Sequence, residues 1–254
     1  PKRDWSSDVC SSDLGKRVER ALAGRAQVQS LVLPDHPHAD EDTADLIAAE
    51  TASADALIAV GSGTINDLCK FASARMKKPY VVYGTAPSMN GYVSTTAAIT
   101  QHGHKKSLAA QAPLGVFLDL GILAAAPVRM IRSGLGDSLC RPTAQADWLL
   151  AHKLFRQSYR LAPFVLLAED EGPLLDASAA LVRGDLEAMN RLVRTLLLSG
   201  FGTAIVGSSH PASQGEHLIS HFADMLGDPA WPAAFHGEQI AVTTLTMEIG
   251  RAHV

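Results

Sequence analysis

Cysteine is scarce: Cys10, Cys69 and Cys140 are the three among 254 residues. So few scattered thiols cannot make a disulfide framework, and a reducing cytoplasm is the expected compartment. Aromatic residues are 6% and charged residues 19%, whereas apolar residues reach 47%. That apolar share excludes a wholly disordered chain. Basic runs are also missing: 22 Lys and Arg stand against 26 Asp and Glu, a net charge of −4. Without a basic stripe, nucleic acid is not an expected partner. No apolar stretch approaches the roughly 20 residues of a membrane span. No charged, apolar and small-residue order marks a signal peptide. At about 150 residues per domain, the length suits one large domain or two modest ones.

Two strings stand apart from the rest. Residues 4–14, DWSSDVCSSDL, repeat Ser-Ser-Asp and show no helical or strand period. The terminal EIGRAHV stops inside a helical pattern with no cap. Both resemble translated sequencing-adaptor read-through. Residues 1–14 are therefore expected to be a non-native tail, and the natural protein to extend further at both ends.

Between them, apolar runs and helical periods alternate. Residues 28–33 and the runs 56–60 (ALIAV), 79–83 (PYVVY) and 114–120 (LGVFLDL) are expected strands. Residues 41–52 and 64–74 have helical spacing. Strands alternating with helices predict a parallel sheet in an α/β domain over 15–126. Beyond Pro127, apolar residues recur at three and four spacing in 144–156, 174–182, 185–199, 212–226 and 234–248, so 127–254 is expected to be all-helical, with Phe164–Leu167 ambiguous.

The chemistry concentrates in three places. Gly61-Ser62-Gly63-Thr64-Ile65 joins a buried strand to a helix, where free N–H groups and the helix dipole suit a pyrophosphate. Such turns are also common as plain structure. The second loop, Thr85-Ala86-Pro87-Ser88, follows the next strand and would lie at the same carboxyl edge of the sheet. Two loops at one edge favour a nucleotide. In the helical half, Asp137 follows Gly134-Leu135-Gly136, His217 and His221 share one helix face at i, i+4, and His236 opens a further helix. One carboxylate and two imidazoles suit zinc, nickel or iron, and three protein ligands leave a position open for substrate. Spacing cannot bring these residues together, because they lie on different helices. Cys69, Cys140, Trp148 and Leu149-Leu150 are expected in packing roles, and Asp119 as a cap.

The motifs GSGTINDLCK, TAPSMNGYVS, GLGDSLCRPTAQADW, HPASQGEHLISH and HGEQ resemble, in order, those of the glycerol-1-phosphate dehydrogenases. That family belongs to the superfamily of metal-dependent polyol dehydrogenases and 3-dehydroquinate synthase. The resemblance covers about residues 28–249 and looks closest to the bacterial branch. It implies a dehydroquinate synthase-like fold with NAD(H) or NADP(H) as cofactor. Gly61, Ser62, Gly63, Thr64 and Ile65 would hold the pyrophosphate. Thr85, Ala86, Pro87 and Ser88 would face the nicotinamide, and Ser94 would be a further cofactor contact. Asp137, His217 and His236 would bind one divalent metal, and Asp137 and His221 would also touch substrate.

The family places Asp where this chain has Asn90, which cannot ionise, so that substrate contact is changed. The implied reaction is reversible reduction of dihydroxyacetone phosphate to sn-glycerol 1-phosphate, with His221 or a water chain supplying the proton. Lys105, Lys106 and Arg141 are candidates for the substrate phosphate. Glycerol dehydrogenation, dehydroquinate synthesis and a non-catalytic metal- or nucleotide-binding fragment are the alternatives. Helical surfaces rich in Ala and Leu could pair in a homo-oligomer.

Overall fold

A computed structural model describes residues 10–34, 37–228, 231–232 and 234–252. Helix α1 (Cys10–Leu22) opens it. Its first turn falls inside the string in which no period was expected. Leu14, Val18 and Leu22 recur four apart and form its more buried stripe. The expected strand at 28–33 is absent: residues 27–34 have no ladder partner, and Val32 is 72% exposed. An apolar run becomes a strand only where a neighbour accepts its backbone bonds.

Helix α2 (Glu41–Glu50) starts at Asp40, whose Oδ1 accepts the Thr43 N–H at 2.8 Å. Strand β1 (Leu57–Gly61), helix α3 (Gly63–Met76) and strand β2 (Tyr80–Gly84) follow. After a 3-10 turn at Gly91–Val93 come β3 (Thr96–Gln101), β4 (His104–Ala109) and β5 (Gly115–Leu118). Strands β1, β2 and β5 form a parallel sheet in that order, and Gly61 pairs with Gly84 at its carboxyl edge.

Strands β3 and β4 form an antiparallel hairpin that the α/β expectation omitted. Its turn is His102-Gly103, with φ of 51° and 76°, the left-handed pair that a two-residue hairpin needs. The polar β4, HKKSLA, hid the strand period.

The remaining chain is helical among the described residues: α4 (Leu120–Ala124), α5 (Val128–Leu139), α6 (Arg141–Phe155), α7 (Ala162–Val165), α8 (Glu171–Asp176), α9 (Ser178–Leu181), α10 (Leu186–Val206), α11 (Gly215–Leu226) and α12 (His236–Ala252). The ambiguous segment around Phe164 is thus helix. As expected, Asp119 caps α4, its Oδ1 accepting from Gly121 and Ile122. Cys69, Cys140 and Trp148 are buried as expected. Leu149 and Leu150 are not core; Leu150 is 56% exposed. Each step along a helix turns about 100°, so the face that buries Trp148 carries its two neighbours outward.

Two apolar clusters hold the molecule. One packs Ile47, Leu68, Phe71, Val82 and Ile99 around the parallel sheet. The other packs Leu123, Ile131, Leu174, Met189 and Leu192 around α10. Helix α5 lies between the loop after β2 and helix α12.

Candidate metal and nucleotide site

The approach of α5 to its neighbours is backbone against backbone. A Cβ on Gly134 would sit 1.7 Å from the Pro87 carbonyl oxygen. A Cβ on Gly237 would sit 1.7 Å from the Ser133 carbonyl oxygen. Only glycine permits either contact. This packing carries Asp137 to the loop Pro87–Asn90 on one side and to the start of α12 on the other.

Asp137 is 1% exposed. Its Oδ2 accepts the Asn90 backbone N–H at 2.8 Å. Its Oδ1 is buried with no hydrogen-bond partner and lies 3.6 Å from His236 Nε2. The rings of His217 and His236 are 5.0 Å apart, centroid to centroid. Donor atoms of Asp137, His217 and His236 all lie within 4.8 Å of one another. Ligands at about 2.1 Å from a tetrahedral cation stand roughly 3.4 Å apart. The Asp137–His236 separation fits that edge, and the orphaned carboxylate oxygen is what a cation would satisfy. These residues therefore fit the implied metal.

His217 is oriented by its neighbour in sequence. Glu216 is buried, and its Oε1 takes the His217 Nδ1 proton at 2.8 Å and the Gln214 N–H at 2.8 Å. A carboxylate only accepts, so Nδ1 carries the proton and Nε2 keeps its lone pair for a metal. Burial alone would raise the Glu216 carboxyl, but the His217 and Gln214 hydrogen bonds outweigh it and bring it below its ordinary value. Reading by sequence missed Glu216. An acid in the first turn of α11 looks like a dipole partner, and only its burial shows otherwise.

Burial sets the protonation of the cluster. It raises the Asp137 carboxyl, against the opposing pull of His217 and the Asn90 N–H, with Glu216 adding to the rise. It lowers His236 well below the ordinary histidine value, and the charges of His217, Lys105 and His221 push the same way. His221 is also lowered, by burial first and then by His217 and Lys105, with Asp224 opposing. Neutral His236 is the ligating form. His221 stands one turn beyond His217, their rings 6.3 Å apart, and lies outside the three-donor group.

The glycine turn and the second loop meet at the sheet edge. The Thr85 N–H donates to the Gly61 carbonyl at 3.1 Å. Ser62 sits at the N-cap of α3 without a side-chain cap bond, and the first-turn N–H groups of Gly63, Thr64 and Ile65 have no partner within the helix. Thr85, Ala86 and Pro87 are buried, and Ser88 is partly exposed.

Ser94 is also buried. Its hydroxyl accepts from Lys70 Nζ at 3.0 Å and donates to the Thr96 carbonyl at 2.8 Å. The buried Lys70 also donates to the Gly91 and Thr96 carbonyls, so it braces the loop from behind. Asn90 turns its side chain toward α10, with Nδ2 donating to Ser199 Oγ at 3.2 Å.

The three candidates for the substrate phosphate separate. Lys105 stands at the cluster, its Nζ 3.2 Å from Asp224. Lys106 is exposed on the hairpin. Arg141 is 2% exposed, bound to Glu171 and stacked over Phe164. Its charge is thus committed inside the helical half.

The chain is similar in sequence and in fold to several known proteins. Residues 6–127 match the model of the iron-containing alcohol dehydrogenases. A glycerol-1-phosphate dehydrogenase of Pyrococcus furiosus is 36% identical over 237 residues, covering 92% of this chain and 66% of that protein. One from Geobacillus stearothermophilus is 35% identical over 240 residues, covering 89% of this chain and 59% of that protein. The chain thus spans somewhat under two thirds of the length of these relatives. A glycerol dehydrogenase structure from Schizosaccharomyces pombe superposes with a TM-score of 0.77 at 20% identity, covering 93% of this chain and 61% of that one. Likeness at that identity establishes the fold alone. The ordered motifs, the sheet-plus-helix architecture and these relatives together make the chain similar to the glycerol-1-phosphate dehydrogenases.

Proposed function

We propose that this chain carries the machinery for reversible, NAD(P)-dependent and metal-dependent reduction of dihydroxyacetone phosphate to sn-glycerol 1-phosphate. The observation that carries this reading is the convergence of Asp137, His217 and His236, with donor atoms within 4.8 Å, beside a loop that abuts the glycine turn. A hydride and a proton add across the substrate carbonyl in the forward direction. When bound, the cation supplies charge to the developing alkoxide and the nicotinamide supplies the hydride.

The chain's own groups do the rest. Gly61, Ser62, Gly63, Thr64 and Ile65 receive the pyrophosphate on first-turn N–H groups. Thr85, Ala86, Pro87 and Ser88 position the nicotinamide, with Ser94 behind them. Asn90, Asp137 and His221 contact the substrate. In the forward direction protonated His221, or a water chain, gives its proton to the substrate oxygen and is reprotonated from solvent, and the reverse reaction takes the proton back. Burial, which lowers the imidazole's hold on that proton, favours the giving. Lys105 faces the substrate phosphate.

Asp and His accept zinc, nickel or iron alike. We take the nucleotide-binding domain to be 15–126 and the metal and substrate domain 127–254; the buried sheet cluster lies within the first, while the α10 cluster draws Ala86, Leu123 and Ala126 across the boundary. No helix among the described residues is long and apolar enough to cross a membrane, in keeping with a cytoplasmic enzyme acting on a small molecule.

The test is His236→Ala. Zinc bound per chain, read by calorimetry, is expected to fall from one to none, and NADH oxidation with dihydroxyacetone phosphate to vanish. Full activity with one metal still bound would overturn the assignment. Assaying glycerol and a dehydroquinate precursor alongside separates the sister reactions.

A further inference from the structure

Ser133 lies one helical turn before Asp137 on α5, so the two side chains project from one face. Ser133 is 1% exposed. Its hydroxyl donates to the Ser88 carbonyl at 3.2 Å and accepts the Gly237 N–H at 3.2 Å. Asp137 repeats the pattern one turn on. Its Oδ2 accepts the Asn90 N–H, and its Oδ1 faces His236. Two pegs on α5 therefore join the same two strips of backbone. One strip is Ser88–Asn90, the end of the proposed nicotinamide loop. The other is His236-Gly237, the start of the helix that offers the third metal donor.

The strips cannot slide independently. The Cβ positions at Gly134 and Gly237 are already filled by the Pro87 and Ser133 carbonyl oxygens. Moving the loop therefore moves α5, and moving α5 moves His236.

We propose that Ser133 is a positioning residue that couples the two sites, so that metal and dinucleotide each raise the affinity of the other. The physical basis is shared ordering. Whichever ligand binds first fixes α5 against both strips, and the second then binds to an arrangement already set. Linkage requires the effect to be reciprocal. Ser133 touches neither ligand in this scheme; it acts through Ser88 and Gly237. The inference rests on the functional reading above, because it takes the two strips to belong to a nucleotide site and a metal site.

The experiment measures a coupling factor. NADH affinity is titrated by fluorescence with and without zinc, and zinc affinity by calorimetry with and without NADH, on the chain as it stands. A factor of about tenfold, equal in both directions, is expected, within the usual range for coupled sites. Ser133→Ala should bring the factor to below about threefold while leaving each ligand's affinity alone nearly unchanged. Ser138→Ala is the control. That hydroxyl bonds only the Gly134 carbonyl of its own helix, so the factor should stay at the wild-type value.

A second measurement needs no variant. Amide exchange in the wild-type chain should slow at Gly237 when NADH alone is added and at Asn90 when zinc alone is added. Two ligands that bind without coupling, or a factor that survives Ser133→Ala, would overturn the proposal and leave the functional reading intact. Failure of either ligand to bind would overturn both.

Discussion

Two of the places where glycines meet protein in this molecule are not equivalent. At the turn between β1 and α3, a Cβ on Gly63 would approach the sulfur of Met89 at 2.7 Å, the far end of a flexible side chain. Between α5 and its neighbours, the Cβ positions of Gly134 and Gly237 coincide with carbonyl oxygens. A thioether can swing aside; a carbonyl fixed in a docked loop cannot. The first place retains freedom where a ligand is proposed to enter. The second has spent that freedom on backbone packing that carries Asp137 and His236 to one point.

The sharpest way to break this comparison is Gly134→Ala. Pro87 or α5 must move, and a loss of about 3 kcal/mol or more is expected, at the upper end of overpacking costs. Urea unfolding would measure it, and near-wild-type stability would show that the contact yields. Gly63→Ala sharpens the comparison from the other side. Met89 can rotate away, so stability should change by no more than about 1 kcal/mol. A loss comparable to that of Gly134→Ala would erase the distinction.

The smallest expected effect concerns the buried charges of the sheet half. Burial pushes Lys70 down to about 8 from 10.5, with Asp67 opposing. Between pH 8 and 10.5 the unfolded chain therefore binds more protons at this position than the folded one, and stability should rise with pH. Above pH 9 the trend turns over. Burial pushes the Cys69 thiol up to about 12 and raises the Cys140 thiol as well, so the two unfolded thiols ionise first and together outweigh the lysine, favouring unfolding. A gain of up to about 1 kcal/mol between pH 8 and 9 is expected, absent in Lys70→Met. Urea midpoints at the two pH values would check it.

Much of the sheet half was legible in the sequence. ALIAV and PYVVY are short apolar runs closed by glycine or a turn, and they are the paired β1 and β2. A run of the same kind at 28–33 is not a strand, because pairing requires a partner that local pattern does not report. The hairpin was missed because β4 is polar, although His102-Gly103 carried a turn signal. Helix α5 escaped the list of helical segments, although it holds Asp137. Glycines at 134 and 136 weaken helical propensity, and tertiary packing overrides that weakness.

In the candidate site, the i, i+4 pair His217 and His221 was visible as one helix face. Spacing did not say which of them would join Asp137 and His236; the family resemblance named His217, and it is His217 whose donor atom lies with theirs. Ser133, Lys70 and Glu216 were invisible, since their partners at Ser88, Gly91 and the next-door imidazole become partners only in three dimensions.

The sequence by itself determined the residue chemistry: glycines where chains must cross closely, imidazoles and a carboxylate as donors, apolar periods that choose strand or helix. Those properties are local, set by side-chain type and by spacing of a few residues. The tertiary structure alone decided that residues 137, 217 and 236 share one point, and that a serine on α5 links that point to the loop at the sheet edge. The two serine contacts span 45 and 104 residues, and no local preference encodes them; they follow from how helices with bare glycine faces pack.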